Sequence, residues 1–158
     1  MPNGQKTLIV GVGNLLLQDE GVGVHVAQEL QKKSLPPGVQ VIDGGLAGLD
    51  LLYLFQDASK VLLIDAADMN LESGEVRRFT PEEIKRWSGN LKFSSHDVGL
   101  LEVLDMAKAL GCCPAEVVII GIQPKEISWG IGLTPKVEAS VPKAMETVFK
   151  EIDPRDRI

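Results

Sequence analysis

Short apolar runs separated by helical stripes recur along this chain, and that alternation restricts the folds open to it more than any other feature. Thr7 to Val12 is an apolar run with glycine near its end, and from Glu20 a helical pattern follows with Val22, Val26, Ala27 and Leu30 on one stripe. Pro36-Pro37-Gly38 breaks that helix, Val39 to Asp43 reads as a second buried strand, and the leucine-rich stretch from Leu46 to Phe55 reads as a packed helix. The unit then repeats. Lys60 to Ala66, which contains Val61-Leu62-Leu63-Ile64, predicts a third buried strand ending in a carboxylate at Asp65. Strands alternating with helices imply a parallel sheet.

The second half varies the pattern. A polar turn from Asn70 to Gly74 leads into Glu75 to Phe79, which fits an antiparallel edge strand. Thr80-Pro81-Glu82-Glu83 combines an N-cap, a proline at the first helical position and a capping-box glutamate, so a short helix should follow through Trp87. Ser94 or Ser95 can cap a helix carrying Val98, Leu101, Leu104, Met106 and Leu110 and closed by Gly111, with His96 in its first turn. Glu116 to Gln123 is the last buried strand, and Thr134-Pro135 starts a final helix whose Val137, Val141, Met145, Val148 and Phe149 face the core. The expected fold is α/β: a single-domain doubly wound sheet of about five mostly parallel strands, with one antiparallel edge strand and helices on both faces. One domain is expected over 1–158, with 153–158 a polar, frayed tail.

Composition excludes several classes of function. Sixteen Lys and Arg against 22 Asp and Glu leave a net charge of -6, which disfavours polyanions such as nucleic acid and suits a metal or a cationic peptide. No apolar run approaches the ~20 residues of a membrane helix, and the first residues lack a signal-peptide layout, so a cytoplasmic protein without membrane attachment is expected. The two cysteines are adjacent, Cys112-Cys113, which fits neither a disulfide framework nor a zinc-site spacing and reads as packing.

In open parallel sheets the functional crevice lies outside the carboxyl ends of the strands. Acids gather there: Asp19 and Glu20 follow the first strand, Asp43 ends the second before Gly44-Gly45, and Asp65 ends the third, while His96 enters a helix from a polar loop. Each acid has an ordinary role available to it, as a helix cap or a turn former. Collected on one rim, however, like charges are costly unless a cation or a basic group offsets them. Carboxylates with an imidazole make an open site suited to zinc, nickel, iron or manganese, and ligand type alone does not choose among these. The macrodipole at a helix start disfavours a protonated His96, leaving a neutral ring able to ligate. His25, inside the first helix, reads as a surface or supporting residue.

Gly11-Val12-Gly13 superficially matches a dinucleotide fingerprint, but Leu16 stands where the third glycine belongs and an acidic pair repels phosphate. No nucleotide cofactor is expected. A serine nucleophile elbow is absent from the sequence, and the vicinal cysteines give a thiol triad little support.

Together, Gly11-Val12-Gly13-Asn14, Asp19-Glu20-Gly21-Val22-Gly23, Asp43-Gly44-Gly45, Ile64-Asp65-Ala66, Ser95-His96, Gly121-Ile122-Gln123-Pro124 and Gly132-Leu133-Thr134-Pro135 resemble the hydrogenase maturation endopeptidases over nearly the whole length. The resemblance implies a metal-dependent, aspartic-type endopeptidase that removes a short C-terminal extension from the large-subunit precursor of a nickel-iron hydrogenase after nickel insertion. It implies Glu20, Asp65 and His96 as ligands of nickel carried by that precursor, with Asp43 a candidate for orienting the peptide or its basic residue. A monomer is expected. The rival readings are a nickel- or precursor-binding chaperone that cuts nothing and, on the same sheet topology, a nucleotide-dependent oxidoreductase. The 123–135 segment, with Trp129 among glycines, is long for a connection; it can contact the precursor or bury Trp129 under a loop.

Overall fold

The computed structural model describes residues 6–46, 48–87, 91–93 and 99–152. A sheet in the order β2-β1-β3-β6-β4 organises them, built from β1 (Thr7–Val12), β2 (Val39–Gly45), β3 (Lys60–Asp68), β4 (Val76–Phe79) and β6 (Glu116–Ile122). The β2-β1-β3-β6 run is parallel, and β4 closes one edge antiparallel to β6, as the polar turn before it predicts. A two-residue strand, β5 (Lys92–Phe93), pairs antiparallel with the end of β3 through Ala67 and Asp68. No sequence pattern announced it, because two residues carry no periodicity.

Alternation along the strands divides the core into two layers. Leu8, Val10, Val61, Leu63, Val117 and Ile119 face α2 (Leu51–Phe55), α3 (Pro81–Arg86) and α4 (Leu100–Ala109). Ile9, Leu62, Ile64, Val118 and Ile120 face α1 (Val22–Gln31) and α5 (Pro135–Ile152). Helices on both faces explain why the central strands read as unbroken apolar runs. Each fully buried aliphatic side chain contributes about 1.5–3 kcal/mol of transfer free energy, so this two-sided burial dominates the fold's stability.

The structure corrects several local expectations. β2 is half exposed rather than buried, because it forms the other sheet edge. The leucine-rich segment is helical only over Leu51–Phe55, and Leu46 and Leu49 point to solvent. α4 begins at Leu100 behind an N-cap at Gly99, so neither serine caps it and its first turn lies beyond His96. Its buried face is Leu100, Val103, Leu104 and Ala107, whereas Met106 and Leu110 are exposed. The capping box at Thr80 and Glu83 is formed as predicted. Both cysteines are free and pack against the first core layer. Residues 94–98 and 153–158 lie outside the described residues, as do the expectations placed on them.

Candidate functional site

Glycine brings the first helix onto the sheet. A Cβ on Gly23 would stand 2.2 Å from the Ile64 carbonyl oxygen and 2.5 Å from that of Val12, and one on Gly11 would stand 2.1 Å from the Gly23 carbonyl oxygen. The first turn of α1 therefore rests directly on β1 and β3. The close helix packing that a dinucleotide motif obtains from its third glycine is achieved here by Gly23, seven positions beyond Leu16. Glu20 lies three residues before Gly23 and Asp65 one residue after Ile64, so this contact gathers both carboxylates at the carboxyl end of the sheet.

The connection between β1 and α1 is tightly specified. Gly13 has a φ of 140° and lies against the Glu20 carbonyl, where a side chain has no room. The Asn14 side-chain oxygen accepts from the Leu16 N–H at 2.9 Å, an Asx turn. A single 3-10 turn, Gln18–Gly21, then delivers the acidic pair before α1 starts.

The two acids of that pair do different work. Asp19, fully buried, accepts four hydrogen bonds: from the N–H groups of Lys125 (2.9 Å), Glu126 (3.0 Å) and Thr134 (2.8 Å) and from the Thr134 hydroxyl (2.7 Å). Burial pushes its carboxyl up, but the bonds from Glu126, Thr134 and Lys125 outweigh this and hold it below the ordinary value. It is not a helix cap; it ties the long β6–α5 connection to the β1–α1 loop. Glu20, 3% exposed, instead lines a cavity of about 250 Å³ together with Ala66, Asp68, Lys92, Phe93, Pro124 and Ile127.

Asp65 is fully buried and lies inside β3, which continues to Asp68, rather than at its end. It stands opposite Gly121 of β6, and one carboxylate oxygen accepts from the Ala66 N–H at 2.8 Å. Its neighbour Ala66 lines the Glu20 cavity. Asp43 is elsewhere: exposed on β2 opposite Gly11, it accepts from the Gly45 N–H (3.0 Å) and the Gln28 amide (3.4 Å). With β1 between them, β2 and β3 are about 10 Å apart, and Asp43 does not line the Glu20 cavity. His96 lies outside the described residues, and among those residues no group of three His, Cys, Asp or Glu side chains forms a metal-ligating cluster.

Gln123, which in the sequence ends a strand and belongs to the Gly121-Ile122-Gln123-Pro124 motif, braces the cavity wall. Its side-chain Oε1 accepts from the N–H groups of Met69 (2.7 Å) and Leu71 (3.2 Å), and its side-chain Nε2 donates to Asp68 (3.2 Å) and to the Pro124 carbonyl (3.3 Å). The available signal was a polar amide ending an apolar strand just before proline.

A doubly wound sheet with buried acids at its carboxyl rim places the chain among α/β proteins whose site is built from carboxylates. The model of the family described as hydrogenase maturation protease matches residues 24–151, and the chain belongs to that family. It is 36% identical to hydrogenase expression/formation protein HupD of Bradyrhizobium diazoefficiens, over 89% of this chain and 74% of that protein. With the hydrogenase 2 maturation protease of Escherichia coli K12 the identity is 34%, over 91% of this chain and 88% of that one. Among solved structures, the hydrogenase maturating endopeptidase HybD from E. coli superposes with a TM-score of 0.83 at 33% identity, covering 94% of this chain and 92% of that one. HybD from Thermococcus kodakarensis gives a TM-score of 0.79 at 31% identity, over 93% and 99%. The chain is accordingly an endopeptidase.

Proposed function

We propose that this protein removes the C-terminal extension of a nickel-iron hydrogenase large-subunit precursor after nickel has been inserted, and that it recognises the inserted nickel. The observation that carries the reading is the pair Glu20 and Asp65, two buried carboxylates brought to one rim by the Gly23 contact. Oxygen donors desolvated in this way favour a divalent cation, and a neutral imidazole from His96 would complete a mixed set compatible with nickel. The nickel belongs to the substrate, and the protein is metal-dependent in that sense. A cation held there supplies Lewis-acid polarisation of the scissile carbonyl or a lowered pKa for the attacking water.

The chain's own residues bind and orient. Glu20 and Asp65 fix the loaded precursor at the rim, while Pro124 and Ile127 form an apolar wall on the Glu20 cavity. Asp43, exposed on the edge strand, is assigned to the basic residue beside the cut. The setting assigned with this reading is the cytoplasm. Among the described residues no helix is long and apolar enough to cross a membrane.

Mass measurement tests this reading. Nickel-loaded precursor should be shortened, and empty precursor should keep its full mass. Glu20→Gln and His96→Ala should each slow cleavage by about 100-fold or more with a melting temperature near that of the parent. Equal cleavage of loaded and empty precursor would refute nickel recognition; undiminished cleavage by both variants would refute the ligand set.

A further inference from the structure

The β6–α5 connection carries large apolar side chains that the fold does not bury. Ile127 is 50% exposed, Trp129 78% and Ile131 83%, and Leu16 of the β1–α1 loop is 53% exposed. Single exposed apolar residues need no explanation, but a patch this concentrated does. The two loops meet at a single parallel bridge, Leu17 opposite Gly130: the Gly130 N–H donates to the Leu16 carbonyl at 2.9 Å, and the Gln18 N–H donates to the Gly130 carbonyl at 3.1 Å. A further bond runs from the Asp19 N–H to the Glu126 carbonyl at 3.1 Å. With the four bonds accepted by the Asp19 carboxylate, these contacts hold the connection in one shape. Gln18 accepts a φ of 49° at the junction, a left-handed conformation that the surrounding pairing maintains. The exposure of Trp129 is thus built in, and its burial under a loop, left open by the sequence, does not occur.

We propose that the ridge formed by Leu16, Ile127, Trp129 and Ile131 is the docking surface for an apolar segment of the precursor next to the scissile bond. This rests on the protease reading above. Ile127 belongs both to the ridge and to the Glu20 cavity, so whatever sits on the ridge reaches the cavity wall. For an endopeptidase the molecule that does so is its substrate, whereas a second copy seated there would cover the cavity. The complement of four uncharged, preorganised apolar side chains is itself apolar, and a tryptophan at the centre is the side chain most apt to anchor such a contact. Asp19 serves this surface as a positioning residue, since it acts only through the loop it holds.

Cleavage kinetics of the full-length protein on nickel-loaded precursor test the ridge. Trp129→Ser combined with Ile131→Ser should raise KM about tenfold or more while kcat stays within about twofold, since docking and not chemistry is removed. Leu110→Ser, on a distant residue that is 68% exposed, should leave both constants unchanged. If the double variant melts early, Trp129→Ser alone provides the same comparison. An unchanged KM, a loss confined to kcat, or an equal rise in KM for Leu110→Ser would overturn the proposal. So would self-association of the parent in sedimentation that the ridge variants abolish, because the surface would then belong to a second copy. Failure of the parent to shorten the precursor would overturn both this inference and the functional reading, whereas full cleavage with an unaltered KM in the variants defeats the ridge alone.

Discussion

Asp19 and Glu20 are adjacent, have the same charge and are equally hidden from solvent, yet they have separate tasks because their partners differ. Asp19 meets three backbone N–H groups and one hydroxyl, which makes it a structural acceptor and not a candidate for chemistry. Replacing it with alanine should cost about 3 kcal/mol, since bonds to a charged acceptor are the stronger kind and several buried donors would lose their partner. Its lowered pKa adds a pH signature. A carboxyl depressed on folding contributes stability that is full above its unfolded pKa of about 4 and is lost as pH falls through the folded value. Melting curves from pH 7 to pH 3 should therefore show the gap between the parent and Asp19→Asn narrowing below about pH 4. A gap constant across that range would contradict the assignment. Nothing in the local sequence separated these two acids, because the deciding partners lie more than 100 residues away.

At the scale of elements, the determining contact is α1 against the sheet. Alanine in place of glycine inside a helix ordinarily gains about 1 kcal/mol in propensity. At Gly23 the added methyl would overlap the carbonyl oxygens of Ile64 and Val12, at 2.2 and 2.5 Å, which belong to strand backbone rather than to a flexible side chain. The overlap should cost about 3 kcal/mol, the upper end for overpacking, so Gly23→Ala should be destabilising on balance. Denaturant midpoints measure this directly, and because the same contact gathers Glu20 and Asp65, cleavage of loaded precursor should fall with it. The periodicity of α1 was legible from Val22, Val26, Ala27 and Leu30, all of which are buried. Two serines offer a plausible cap upstream of α4, but the helix begins behind Gly99, whose type carries a weaker signal.

On the whole molecule, the end of the sheet opposite the site is closed by charge. Lys60, at the start of β3, is 5% exposed and donates to the Glu151 carbonyl at 2.8 Å, with carboxylates of Glu116 and Glu151 at 3.3 and 3.6 Å. Arg78 of β4 holds Glu151 through two bonds, 2.8 and 3.1 Å, so the end of α5 is fastened to both β3 and β4. Burial raises the Glu151 carboxyl, but Arg78 and Lys60 bring it below its ordinary value. Lys60→Met keeps the apolar stem and removes the ammonium, and it should cost about 2 kcal/mol by freeing the α5 terminus. Hydrogen exchange should show the loss at the end of α5, while Glu20 and Asp65, at the other end of the sheet, keep their surroundings.

Periodicity, glycine turns and capping chemistry operate within a few residues, and the sequence by itself therefore specified the α/β alternation, the antiparallel edge, the α3 cap and the acids that follow the first strand. Strand order, the exposure of β2, the position of Asp65 within β3 and the display of Trp129 were decided only in the tertiary structure. Each of these depends on which distant segment arrives as a neighbour, and a burial pattern read along one strand does not state what lies beside it. Hydrogen bonds and packed side chains across the sheet make that choice, and they form only when the whole chain has closed around its core.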